Sequence, residues 1–163
     1  MKILLILLIS SLCAGPALAA GTPNAAFFGQ TLIDSQGRPV SLGAFQGKPL
    51  IVNFWARWCQ PCREEIPELV ALQKRHGGRL QVIGIALEDD PGAMRGFIEQ
   101  YRINYPILLA GRQGIDLMKA FGNPVGGLPF SVYLDHRGEL LETKLGKLHA
   151  QDLKRAEQRL LRP

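Results

Sequence analysis

The chain has 163 residues, 47% of them apolar, and its 19 lysines and arginines outnumber its 14 acids, giving a formal charge of +5. That length suits one domain around a single core, and no internal repeat or low-complexity stretch is visible. The basic excess does not point to nucleic acid: Lys144, Lys147, Lys154, Arg155, Arg159 and Arg162 are punctuated by Leu148, Leu153, Leu160 and Leu161, the pattern of an amphipathic surface helix, with no aromatic residues interleaved.

The first residues read as an address. Lys2 precedes an apolar run from Ile3, then come Gly15-Pro16 and the small-residue triplet Ala17-Leu18-Ala19, the three parts of a secretory signal peptide. Residues 1–19 are therefore expected to be removed, leaving 20–163 as one exported domain. An uncleaved anchor is the alternative, because counting on through Ala20 approaches the roughly 20 residues that span a bilayer. Export would place the domain in the periplasm, and an anchor would tether it to the inner membrane. Lipidation at Cys13 is disfavoured, because Leu12 rather than a small residue precedes that cysteine.

Phe27 to Ile33 and Arg38 to Ser41 flank Asp34-Ser35-Gln36-Gly37, which predicts an N-terminal β-hairpin, followed by a loop over Gly43 to Pro49. Leu50 to Trp55 is apolar except for Asn53 and reads as a buried central strand. A helix is expected from Cys59 to His76, with Ile66, Leu69, Val70 and Leu72 on its apolar face, a kink at Pro67, and Gly77-Gly78 ending it. Leu80 to Leu87 reads as the next strand. Asp90 and Pro91 then form an N-cap and first helical residue, with the helix running to about Tyr101. A short strand at Ile107 to Leu109, a helix from Ile115 to Phe121 and a Gly/Pro-rich loop from Gly122 to Pro129 follow. Phe130 to Leu134 and Glu139 to Leu145 flank Asp135-His136-Arg137-Gly138 as a second hairpin, and the basic helix from Ala150 to Leu161 closes the chain. Strands alternating with helices predict a three-layer α/β/α sandwich with a mixed central sheet.

Of three cysteines, only Cys59 and Cys62 would remain after export, at CxxC spacing. A bridge closing so small a loop restrains the unfolded chain little, so redox exchange is the better reading. Placed where a buried strand turns into a helix, Cys59 meets unpaired N–H groups and the positive helix end, which favour its thiolate and mark it as the nucleophile. Cys62, one turn on, resolves the mixed disulfide, and Pro61 stiffens the turn at a position that needs no N–H.

Asn53-Phe54-Trp55-Ala56-Arg57-Trp58-Cys59-Gln60-Pro61-Cys62-Arg63-Glu64-Glu65-Ile66-Pro67 resembles the signature of the thioredoxin superfamily, and within it the exported TlpA/ResA/DsbE-like branch. A second match, Gly127-Leu128-Pro129-Phe130-Ser131-Val132-Tyr133-Leu134-Asp135, falls where that family carries its cis-proline loop. The resemblance implies a thioredoxin-like fold and a cis Leu128–Pro129 bond lying against the disulfide. It also implies a Leu128 backbone free to pair with an extended client. It implies protein-disulfide reduction, with apocytochrome c or other exported proteins as clients and a membrane thiol-electron donor of the DsbD/CcdA-like kind. No cofactor or metal is implied.

Cytoplasmic thioredoxins manage the proton of the resolving cysteine with a buried Asp on the central strand, where this chain has Asn53. Asparagine cannot titrate, and the resemblance to the TlpA-like branch, which often has an acid in this region, implies Glu88, at the end of the adjacent strand, as the candidate acid; a buried carboxylate there would have a raised pKa. Its alternative role is to belong to the acidic cap before Pro91. Trp58 is assigned to client contact; Arg57 and Arg63 are read as solvated, and Glu65 receives no task. His76, His136 and His149 are read as a helix-end charge, a turn residue and a surface residue. A zinc site lacks ligands, and a peroxiredoxin reading lacks the motif around its cysteine. A Sco-like copper-binding chaperone shares the fold but uses CxxxC with a distal His. Within redox chemistry CxPC resembles reducing members more than strong oxidants, so a reductase is expected and a thiol oxidase is the alternative.

Overall fold

The computed structural model describes residues 22–162. The expected signal segment 1–19 and Cys13 lie outside the described residues. Four short helices and one long one pack on a seven-stranded sheet. In chain order these are α1 (Pro23–Phe28), β1 (Thr31–Asp34), β2 (Pro39–Ser41), β3 (Leu50–Trp55), α2 (Gln60–His76), β4 (Gln81–Ala86), α3 (Pro91–Tyr101), β5 (Ile107–Leu109), α4 (Gly111–Ala120), β6 (Phe130–Leu134), β7 (Leu140–Leu145) and α5 (Ala150–Leu160). The strands run in the order β2-β1-β5-β4-β3-β6-β7. β3, β4 and β5 are parallel, while both outer pairs of strands are antiparallel additions, so the sheet is mixed.

Period-two alternation along the buried strands builds the two faces. Ile51 and Trp55 of β3 and Val82 and Ala86 of β4 join Ile66, Leu69 and Leu72 of α2, Phe97 of α3 and Leu153 and Leu160 of α5 in one core cluster. Leu50, Val52 and Phe54 face the other way, onto Phe27 and Phe28 of α1 and Leu117 and Met118 of α4. Helices therefore cover both faces, and the fold is the thioredoxin-like three-layer sandwich. Asn53 shares the α2 face with Ile51 and Trp55, the only polar side chain in that strand.

Three local readings are corrected. Phe27 and Phe28, expected to begin a strand, close a helix, because the Thr22 hydroxyl accepts the Ala25 N–H and Pro23 stands at its first position. Both rings are then drawn into the core, where Phe27 meets Phe121 edge-on. Leu42–Phe45 forms a 3₁₀ turn where a plain loop was expected. α4 starts at Gly111 rather than Ile115; its N-cap is Ala110, which makes no side-chain capping bond, so the sequence carries no start signal. The N-terminal hairpin is present, with Thr31 opposite Ser41 and the Asp34 carboxylate accepting the N–H groups of Gln36 and Arg38.

Gly84 lets β4 lie close beneath its neighbours: a Cβ there would stand 2.5 Å from Ile107 Cδ1 and 2.9 Å from Trp55 Nε1. The ring of Trp55 is buried. Gly84→Ala is expected to lower stability by about 1–3 kcal/mol, read as a reduced urea midpoint at unchanged slope.

The basic C-terminal region is largely neutralised by neighbours. Lys144 and Arg155 pair with Asp152, Lys147 with Glu64 and Arg159 with Glu142, while Arg75 and His76 of α2 meet Glu157 of α5. No described helix is long and apolar enough to cross a membrane.

Candidate active site

β3 carries the chain to the carboxyl ends of the parallel strands, where Ala56 to Cys59 forms a tight turn closed by the Cys59 N–H donating to the Ala56 carbonyl at 3.1 Å. Cys59 is the N-cap of α2, in extended conformation, and its carbonyl accepts the first helical bond from Arg63 N–H at 3.2 Å. Gln60 and Pro61 fill the first two helical positions, where a missing N–H forfeits no helical bond. Cys59 and Cys62 form a disulfide with an S–S distance of 2.06 Å. Cys59 is 5% exposed and Cys62 1%, so Cys59 is the less buried residue of the pair.

Register brings the second motif alongside. Phe54 of β3 lies opposite Phe130 of β6, which puts Leu128 and Pro129 at the sheet end where the disulfide stands. The Leu128–Pro129 bond is cis. Pro129 is buried, and Leu128 is half-buried against the cluster that contains both cysteines. The Pro129 carbonyl is taken by Gly146 N–H at 2.8 Å; among the described residues neither the N–H nor the carbonyl of Leu128 has a partner. Trp58 is 70% exposed and forms one wall of a shallow groove with Leu87, Asp89, Gly111, Arg112 and Ile115. Pro61 is exposed beside it.

The buried acid is Glu65, not Glu88. Glu65 lies on α2 three residues after Cys62, hence on the same helix face, and is fully buried. Its Oε1 accepts from Asn53 Nδ2 at 2.7 Å and its Oε2 from Leu148 N–H at 2.7 Å, while Asn53 Nδ2 also reaches Ser131 Oγ at 3.0 Å. Loss of water outweighs these bonds and pushes the Glu65 carboxyl up to about 7, although the Leu148 N–H, Asn53 and the charge of Lys147 all pull it down. The sequence signal for this residue was an acid at the apolar-face spacing set by Cys62, Ile66, Leu69 and Leu72.

Glu88, expected as that buried carboxylate, is only half-buried and ion-paired. Its carboxylate accepts the Arg57 Nε–H at 3.1 Å and the Arg57 backbone N–H at 3.3 Å. Arg63 Nη1 donates to the Arg57 carbonyl at 2.6 Å. The two arginines and Glu88 thus grip the peptide groups leading into Trp58 and Cys59, a structural task in place of the solvated roles expected for the arginines. Asp90, separately, caps α3 by accepting the N–H groups of Gly92 and Ala93. Among the described residues no group of three or more His, Cys, Asp or Glu side chains is placed to hold a metal ion.

A helix-capping dithiol on a sheet of this order can pass an electron pair to or from another disulfide, and that chemistry defines the class of thioredoxin-fold thiol-disulfide oxidoreductases. The chain belongs to the Redoxin family, whose profile matches residues 17–160. It is similar to the thiol-disulfide oxidoreductase ResA of Bacillus thuringiensis, at 27% identity over 121 residues that cover 74% of this chain and 68% of the relative. The thioredoxin-like protein YneN of Bacillus subtilis is 30% identical over 120 residues, 72% of this chain and 68% of that protein. Among solved structures, a thiol:disulfide interchange protein of the thioredoxin family from Chlorobium tepidum matches with a TM-score of 0.72 and 29% identity, covering 82% of this chain and 93% of that one. The protein is a thiol-disulfide oxidoreductase of the type that ResA represents.

Proposed function

We propose that the protein works outside the cytoplasm as a protein-disulfide reductase. Its clients are apocytochrome c or other exported proteins, and a membrane thiol-electron donor of the DsbD/CcdA-like kind restores its dithiol. The observation that carries this reading is the set of residues at one sheet end: Cys59, the less buried cysteine, with an exposed Trp58 and a Leu128 backbone without partners. An extended client segment can add to that free backbone as a strand adds to a sheet edge, bringing its sulfur to Cys59. Export is supported by the signal-like shape of residues 1–19, and the reducing direction by the Gln60-Pro61 pair between the cysteines.

In the reduced protein the Cys59 thiolate attacks one client sulfur, forming a mixed disulfide and expelling the second client sulfur as thiolate. Cys62 passes its proton to Glu65 and attacks Cys59 Sγ, which releases the first client sulfur and forms the Cys59–Cys62 bond. Two electrons reach the client, and its two thiolates take up protons from solvent, which Glu65 replenishes as it ionises. A carboxyl near 7 is poised for that exchange at neutral pH.

The reduction potential, measured by equilibration with defined thiol/disulfide buffers, tests the direction. A value of about −270 mV or somewhat above supports a reductase, and one near −120 mV overturns it in favour of an oxidase. The client is tested by expression in a strain lacking its own apocytochrome c reductase. Failure of a folded, reduced protein to restore cytochrome c assembly removes that client.

A further inference from the structure

The loop that presents Leu128 has little regular structure to hold it. Gly122 and Gly126 adopt positive φ values of 89° and 67°, and the segment between α4 and β6 belongs to no sheet. One side chain organises it. Asn123 is 3% exposed, and its carboxamide faces Gly127 in two-point fashion: Nδ2 donates to the Gly127 carbonyl at 2.8 Å and Oδ1 accepts the Gly127 N–H at 3.2 Å. This is how a neighbouring strand would satisfy the same peptide groups. The backbone of Asn123 extends the tie in both directions, donating to the Met118 carbonyl at 2.9 Å at the end of α4 and accepting the Gly126 N–H at 3.3 Å. Downstream, the Pro129 carbonyl is held by Gly146 N–H. Leu128 is thus pinned through both neighbours while its own N–H and carbonyl stay free.

We propose that Asn123 is the positioning residue that holds the Leu128 backbone in register for an extended client segment. The inference rests on the reading above that clients pair with Leu128. Without the carboxamide, Gly127 loses both partners, the loop samples other conformations, and the client meets a backbone that must first be ordered. The effect falls on docking of extended segments, since nothing ties Asn123 to the sulfur chemistry of Cys59.

The test compares two substrates on the full mature protein: a disulfide-bridged peptide and oxidised glutathione, which has too little chain to pair as a strand. A third substrate, the same peptide N-methylated next to its cysteine, reports backbone pairing directly. Asn123→Ala is expected to raise the peptide KM about tenfold, as loss of one or two well-made hydrogen bonds predicts. The glutathione rate and the reduction potential should stay within about twofold of the parent. Asn123→Ser keeps one short, uncharged hydrogen-bonding group in place of the two-point carboxamide, so it should fall between, and it serves if the alanine variant does not fold. An unchanged peptide KM, or a parallel fall for both substrates, overturns the proposal. If the parent protein does not distinguish the N-methylated peptide from the plain one, pairing at Leu128 itself is wrong. If the parent distinguishes them and Asn123→Ala does so equally, only the role of Asn123 falls.

Discussion

With Cys62 replaced by serine, the protein is expected to stop at a mixed disulfide in which a client sulfur is bonded to Cys59. A serine hydroxyl is not ionised at neutral pH and cannot displace the client sulfur, so the first step proceeds and the second does not. Turnover falls by roughly 10⁴ or more, the order seen when a covalent nucleophile is lost, while client accumulates on the protein. Cys59→Ser should lose turnover to the same extent and trap nothing. The asymmetry follows from position: Cys59 caps α2 and keeps 5% exposure, whereas Cys62 lies one turn inside at 1%. Non-reducing electrophoresis and mass spectrometry of the adduct decide it. Clients trapped by Cys59→Ser and not by Cys62→Ser would exchange the two roles.

Removing the charge at Glu65 is expected to change both the rate and the pH dependence of stability. In the folded chain this carboxyl keeps its proton up to about 7, against an ordinary value of 4.5. Between those values the folded state holds a proton that the unfolded chain has released. Stability is therefore greatest below about pH 4.5, declines as pH rises towards 7, and is flat above, by a total on the order of 3 kcal/mol from this group. Glu65→Gln abolishes that slope. It also leaves one acceptor oxygen for the two donors, Asn53 Nδ2 and Leu148 N–H, at a cost of about 1–3 kcal/mol. The variant is consequently the less stable form at pH 4.5, and the gap narrows or reverses by pH 7. Urea unfolding of parent and variant from pH 4.5 to 8 reads the difference directly; parallel curves would show that Glu65 titrates as an ordinary carboxylate. Turnover at neutral pH should fall about 10²-fold through the slowed second step, with formation of the mixed disulfide retained.

Glu65 and Glu88 also separate what neighbouring residues dictate from what distant ones dictate. Both acids are plain in the sequence; the resemblance to the TlpA-like branch points to Glu88, at a strand end, and leaves Glu65, inside a helix, without a task. Their settings depend on partners elsewhere. Glu65 is buried because Asn53, 12 residues earlier, and Leu148, 83 residues later, close over it. Glu88 is instead ion-paired to Arg57, 31 residues earlier. Asn123 gave no signal beyond a turn-forming Gly-Asn pair, because its role depends on a loop whose shape exists only in the folded chain.

The sequence alone determined the parts whose causes are local. The apolar run of β3, the Asp90-Pro91 start of α3, the glycine and aspartate turns of the two hairpins and the CxxC pair at a strand-to-helix junction each follow from neighbouring residues, and the sandwich and its redox class follow from their order. Tertiary structure decided the rest. It packed the Phe27 ring against Phe121, started α4 at an uncapped Ala110, and buried Glu65 rather than Glu88. Burial and long-range hydrogen bonding set these outcomes, and both arise only when segments distant in the chain pack together.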